Sequence, residues 1–157
     1  MTKHVVITGA NRGIGLSLCQ QYLAKGYQVT AIVRQPSDAL KALDVTIISN
    51  IDVANEGDIV ALQNQLHGHK VDLLINNAGV FSNESMADMD FAAINQQLTI
   101  NAVAPIRVTH ALLHSLGVDA KVAMITSRMG SMADNTSGGY YGYRMSKAAL
   151  NAASVSL

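Results

Sequence analysis

Five short apolar runs rich in β-branched residues recur along the chain: Val5–Ile7, Val29–Val33, Val45–Ile48, Val71–Ile75 and Val122–Ile125. They are nearly continuous rather than alternating, the pattern of strands buried on both faces of a parallel sheet. Stretches with helical spacing lie between them. Ile14 to Ala24 places Leu16, Cys19, Tyr22 and Leu23 on one face and stops at Lys25-Gly26, a good helix C-terminus. Glu56 to Leu66 carries Ile59, Leu62 and Leu66 on one stripe, and a longer helix is predicted over Phe91 to Leu116, apolar on more than one side. A last helix is predicted from Tyr143 to Leu157, with no glycine, proline or basic turn to stop it. This alternation implies a doubly wound α/β fold with a parallel sheet. At 157 residues the chain accommodates one domain, 1–157.

Composition narrows the function classes. Eleven basic residues balance eleven acidic ones, and a pI of about 7.0 argues against a nucleic-acid binder, which shows a basic patch. With 49% apolar and 14% charged residues, disorder is excluded. Mean hydropathy is +0.21, yet no apolar run approaches the ~20 residues of a membrane helix. The opening segment also lacks a secretory apolar core. A single cysteine, Cys19, permits no internal disulfide, so a reducing, cytoplasmic location is expected.

The first strand runs into Thr8-Gly-Ala-Asn-Arg-Gly-Ile-Gly15 and then into a helix. Gly9, Gly13 and Gly15 allow a tight turn and close backbone approach to a pyrophosphate. The helix behind offers free N–H groups and its positive end to that anion. In this strand–turn–helix context the triplet points to a Rossmann-type dinucleotide site. An acidic residue about 20 positions on would favour NAD, but the second strand ends Val33-Arg34-Gln35. Arg34, with Arg12 in the loop, suits a 2′-phosphate, since guanidinium binds phosphate in a two-pronged way. NADP(H) is therefore expected over NAD(H). A strand-end arginine is also compatible with a merely solvated charge.

With these motifs in place the sequence resembles the short-chain dehydrogenase/reductase family along its whole length. The glycine loop is similar to the family's TGxxxGxG signature, in which Gly9, Asn11, Arg12, Gly13, Ile14 and Gly15 would meet the cofactor. Asn76-Asn77-Ala78-Gly79 resembles its NNAG element, and Asp52-Val53 the pair that holds adenine. Asn101 and Pro105 resemble its NxxxP segment, Ser127 its catalytic serine, and Tyr143 with Lys147 its YxxxK pair. Within the family, the stretches 126–135 and 138–151 look most like C-factor and Sniffer-type carbonyl reductases. A tyrosine four residues before a lysine is weak on its own. Its weight comes from falling in register with the other motifs.

The spacing of Tyr143 and Lys147 puts both on one helix face. A tyrosine works as an acid or base at neutral pH only when a nearby cation stabilises its phenolate. Lys147 would provide that cation. The resemblance then implies an oxidoreductase in which Tyr143 exchanges a proton with a carbonyl or alcohol substrate while hydride passes to or from NADP(H). Ser127 would orient the substrate oxygen. Lys147 would also bind the nicotinamide ribose, and Asn101 would hold a water linking Lys147 to solvent. Tyr140 and Tyr141 lack a lysine four residues on and are expected to pack or line the pocket.

Other clusters carry less. His110 and His114 share a helix face but lack a third ligand, so no metal site is expected. Cys19 reads as a small core residue. Glu84, Asp88 and Asp90 precede the long helix, where acids favour its positive end. By resemblance the sheet is ordered 3-2-1-4-5 and lacks the family's last two strands and substrate loop, so the chain is expected to be truncated at its C-terminus. The helices over 91–116 and 143–157 would pair with a second copy. Neither a membrane nor a nucleic acid is expected as partner. The competing reading is a non-catalytic nucleotide-binding or dimerisation module.

Overall fold

The computed structural model describes residues 2–157. Its centre is strand β1 (His4–Thr8), in which every residue is buried. Side chains alternate across a strand, so Val6 joins one core with Leu62, Leu74 and Val108, whereas Val5 and Ile7 join the other with Cys19, Val29 and Leu40. Two cores on one sheet explain why the runs are apolar throughout. Each fully buried side chain of this size contributes about 1.5–3 kcal/mol.

The chain alternates as expected: α1 (Gly13–Ala24), β2 (Gln28–Ile32), α2 (Asp38–Lys41), β3 (Thr46–Ile48), α3 (Glu56–Leu66) and β4 (Val71–Asn76). Strand β5 (Leu116–Met124) completes a parallel sheet of order β3-β2-β1-β4-β5. Val5 pairs with Val29 on one side and Leu73 on the other. Among the described residues, no helix is long and apolar enough to cross a membrane.

Four elements depart from the sequence-based expectations. The helix over 91–116 is three pieces: α4 (Phe91–Leu98), a π-helical turn (Thr99–Val103) and α5 (Ala104–Ala111). Leu112 leaves helical geometry, and Leu116 begins β5 instead of ending a helix. The capture is specific: Val71 N–H donates to the Ser115 carbonyl at 2.8 Å, and Ser115 Oγ donates to the last carbonyl of α3, that of Leu66, at 3.0 Å. The spacing of Leu112, Leu113 and Leu116 fits helix and strand entry equally, which is why it misled. The pairing also slips between Val71 and Leu73, because Leu116 faces the first and Lys121 the second. The short α2 has only its N-cap as a signal, Ser37 Oγ accepting from Leu40 N–H at 3.2 Å. Finally, α6 (Tyr141–Ser156) starts two residues before Tyr143.

Candidate active site

Thr8, at the end of β1, ties the glycine loop to the turn after β4. Its Oγ1 accepts from Asn77 N–H at 3.0 Å and Ala78 N–H at 3.1 Å. The Asn77 side chain donates back to the carbonyls of Thr8 and Gly9, each at 3.1 Å. Two glycines are obligatory here. A Cβ on Gly9, at φ +66°, would sit 2.7 Å from Ala78 Cα. One on Gly15 would strike the Gly9 carbonyl and lie 2.6 Å from Asn77 Nδ2. Helix α1 starts at Gly13 behind the loop with no acid in its first turn and no side-chain cap, so its leading N–H groups remain for an anion.

In front of the loop opens a cleft of about 840 Å3, within the size of cofactor sites. Every residue expected at the cofactor lines it except Tyr143 and Lys147: Gly9 and the loop from Asn11 to Gly15, exposed Ile14 included, then Arg34, Asp52 and Val53, and last Asn77, Ala78 and Gly79. Arg12 and Arg34 are exposed, and among the described residues neither pairs with a carboxylate. Asn11 anchors the loop to the turn after β2, accepting from Ser37 N–H through its side chain and from Ser37 Oγ through its carbonyl. Asp52 Oδ1 accepts from Ala54 N–H at 2.9 Å. Asp58 and Asn50 also line the cleft and were not anticipated. Asp58, in the first turn of α3, reads as a helix-start acid, and its carboxylate in fact accepts from Asp52 N–H at 2.9 Å. Asn50 sits in left-handed backbone at φ 60°, a conformation asparagine tolerates better than most.

Gly79, which lines the cleft, lies beside two of the expected catalytic residues, Asn101 and Lys147. A Cβ on Gly79 would lie 3.3 Å from Asn101 Oδ1 and 4.0 Å from Lys147 Nζ. Lys147 is 5% exposed, its Nζ donates to the Ile125 carbonyl at 2.7 Å, and it lies 5.7 Å from the Tyr143 ring centroid. Burial without a carboxylate partner pulls the Lys147 ammonium below its ordinary range. Ser127, two residues past Ile125, caps a short 3-10 turn (Arg128–Gly130), its Oγ accepting from Met129 N–H at 3.1 Å. Gly130 packs that turn on α6, where a Cβ would come 2.8 Å from the Lys147 backbone. Asn101 lies in the π turn, a feature often found at functional sites. Its amide makes three hydrogen bonds: Oδ1 accepts from Val80 N–H at 2.8 Å, and Nδ2 donates to the Val80 carbonyl and Ser146 Oγ.

One side chain stands elsewhere than expected. Glu84 does not serve the start of α4, where Asp90 alone caps by accepting from Ala93 N–H at 3.0 Å. Glu84 is 3% exposed and reaches the start of α6, accepting from Gly142 N–H at 3.1 Å and Gln97 Nε2 at 2.9 Å, and from Ser82 Oγ. The Ser82 hydroxyl, with the Gly142 and Gln97 donors, holds its carboxyl below the usual range. Tyr140, in left-handed backbone at φ 53°, packs on Phe81, whose ring also meets Tyr143 at 5.0 Å.

The family model for short chain dehydrogenases matches residues 3–157. The chain belongs to that family. Among curated relatives of this short chain dehydrogenase, 1-hydroxy-2-glutathionyl-2-methyl-3-butene dehydrogenase of Rhodococcus sp. (strain AD45) is 37% identical over 149 residues, spanning 94% of this chain and 66% of that protein. C-signal of Myxococcus xanthus is 56% identical over 86 residues, 53% of this chain and 52% of that protein. The chain thus spans about half to two thirds of the length of these relatives. A carbonyl reductase from Pseudomonas aeruginosa PAO1, solved in complex with NADP, superposes with a TM-score of 0.90 at 33% identity, covering 99% of this chain and 74% of that one.

Proposed function

We propose that the chain carries the cofactor and proton-transfer machinery of an NADP(H)-dependent carbonyl reductase acting on a small carbonyl or alcohol substrate. The observation that carries this reading is the continuity of one cleft. It runs from two unpaired guanidinium groups, past a glycine loop at a helix start, to Gly79, where Lys147 and Asn101 converge. The cradle fits a dinucleotide: Gly9 and Gly15 leave no room for side chains of their own, and the free α1 N–H groups would meet the pyrophosphate. Arg34 and Arg12 would hold the 2′-phosphate, Asp52 and Val53 the adenine, and Asn77, Ala78 and Gly79 the backbone side of the cleft. NADP(H), when bound, supplies or accepts the hydride.

Within that frame Tyr143 gives its phenolic proton to the substrate oxygen during reduction and takes it back during oxidation. Lys147 stabilises the resulting phenolate across the 5.7 Å to the ring and also meets the nicotinamide ribose. Ser127 orients the substrate oxygen. Asn101 holds the turn after β4 against α6 through Val80 and Ser146. It would also hold the water that links Lys147 to solvent. Phe91, Val103 and Met145 expose apolar surface on α4, the π turn and α6, where a second copy would pack. The lone buried thiol of Cys19 suits a reducing cytoplasm.

The test is NADPH oxidation with a panel of aldehydes, ketones and quinones. Turnover that falls about 100-fold or more in Tyr143→Phe, the size of a lost acid–base catalyst, supports the reading. NADPH binding without turnover on any substrate would establish a nucleotide-binding module instead.

A further inference from the structure

Helix α6 carries Tyr143 and Lys147, yet it begins without a cap of its own. Tyr140 precedes it in left-handed backbone and makes no side-chain capping bond. The leading N–H groups of such a helix need acceptors. Here the loop after β4 supplies them from 58 residues away: Glu84 Oε2 takes Gly142 N–H at 3.1 Å, and the Glu84 carbonyl takes Tyr140 N–H at 3.1 Å. The carboxylate is also prevented from turning. Gln97, 1% exposed, donates from Nε2 to Glu84 and to Ser82 Oγ, while its Oε1 accepts from Ser82 N–H at 3.1 Å. Gly142 completes the lock, since a Cβ there would meet Gln97 Nε2 and lie 3.0 Å from Ile94 Cα.

We infer that Glu84, oriented by Gln97, is a positioning residue that sets the start of α6, and so the place of the Tyr143 hydroxyl relative to Lys147. The inference rests on Tyr143 as proton donor. Among the described residues Glu84 has no cationic partner. Its charge is met by an amide, a hydroxyl and a backbone N–H in the first turn of a helix, the end that favours an anion. The same loop holds the Tyr143 ring through Phe81, so main chain and side chain are fixed from one element. Loss of the lock would move the hydroxyl by a fraction of an ångström to an ångström, and displacements of that size cost on the order of 100-fold in rate.

A reciprocal exchange tests this. Glu84→Gln sets an amide against the Gln97 amide, and Gln97→Glu sets two carboxylates face to face. The double variant Glu84→Gln/Gln97→Glu restores a donor–acceptor pair with its direction reversed and keeps one negative charge in place. For carbonyl reduction by NADPH, Glu84→Gln is expected to lower kcat about 30-fold or more. KM and the NADPH dissociation constant should change less than threefold, and the double variant should recover kcat to within about threefold of the parent. An unchanged kcat in Glu84→Gln, or a loss that the double variant does not recover, overturns the inference. Should the parent chain turn over no substrate, the proposed function fails separately. Hydrogen exchange then reads the lock: faster exchange of amides 141–147 in Glu84→Gln, reversed in the double variant, supports it, and unaltered exchange overturns it.

Discussion

The phosphate end of the cleft and the Tyr143 end rest on different supports. At the phosphate end, β1 lies between β2 and β4, every residue of the strand is buried, and Thr8 and Asn77 cross-link the two turns through four hydrogen bonds. At the Tyr143 end, β5 is the sheet edge, paired only with β4, and it leaves Val118 and Val122 exposed. Beyond its packing on α4 and the 3-10 turn, where Gly142 lies against Ile94 and Gly130 against Lys147, α6 is tied there by single hydrogen bonds from distant segments: Lys147 to Ile125, Asn101 to Ser146, Thr126 to Asn151 and Glu84 to Gly142. The end proposed to bind the cofactor is thus built from neighbouring strands and short turns, whereas the end proposed to transfer the proton is assembled from parts brought together across the fold. Substitutions should separate the two.

The largest separation is expected from Gly130→Val. Its side chain would collide with the Lys147 backbone and displace the turn from α6, lowering turnover about 100-fold while NADPH affinity falls less than tenfold. Steady-state kinetics beside calorimetry would check it, and equal losses in both would erase the distinction. Next, Arg34→Ala should weaken NADPH about 10- to 100-fold, the worth of a hydrogen-bonded charge, and leave NADH affinity unchanged. Equilibrium titration with both nucleotides measures this.

A smaller effect concerns stability. Lys147 is buried without a carboxylate, and desolvation lowers its pKa, so at neutral pH the folded state bears the cost of its charge. The unfolded chain retains its proton up to the ordinary lysine value of 10.5, so this cost declines as pH rises through the lowered folded pKa towards that value. Lys147→Met should therefore raise the Tm by about 2–4 °C while abolishing turnover, as thermal denaturation at pH 7 would show. The smallest effect involves His4. Its Nδ1 donates to the Lys70 carbonyl at 3.0 Å, and its Nε2 lies 2.8 Å from the Thr30 hydroxyl, a partner the neutral ring can use as an acceptor. Burial lowers its pKa below 6.5. The stability it provides is complete above about 6.5 and is lost as pH falls through the depressed folded value. His4→Asn should flatten that decline, worth about 2 °C in Tm between pH 7 and 5.

The same contrast governs how much was legible in the sequence. The glycine loop, Asn77 and the two arginines line the cleft as their spacing implies, because each lies within a few residues of a strand end, where spacing determines geometry. The strands themselves were visible because burial on both faces leaves an unbroken apolar run. The π turn at Asn101 leaves no mark in the sequence, since a segment that is apolar on more than one side shows no break where an extra residue rotates the helix face. Leu116 was misplaced because its spacing from Leu112 suits a helix, and only the Val71 N–H reveals the strand. Glu84 was assigned to the nearer helix start, six residues ahead, when its partner lies at Gly142. Long-range hydrogen bonds leave no periodic trace, and the Tyr143 end is made of them.

The cleft in front of the glycine loop is proposed to be a preformed NADP(H) site. Calorimetric titration of the 157-residue chain with NADPH and NADH tests it most directly. The account predicts saturable NADPH binding at one site, about 10- to 100-fold tighter than NADH. Equal affinity for the two would contradict the role given to Arg12 and Arg34, and binding of neither would contradict the site itself.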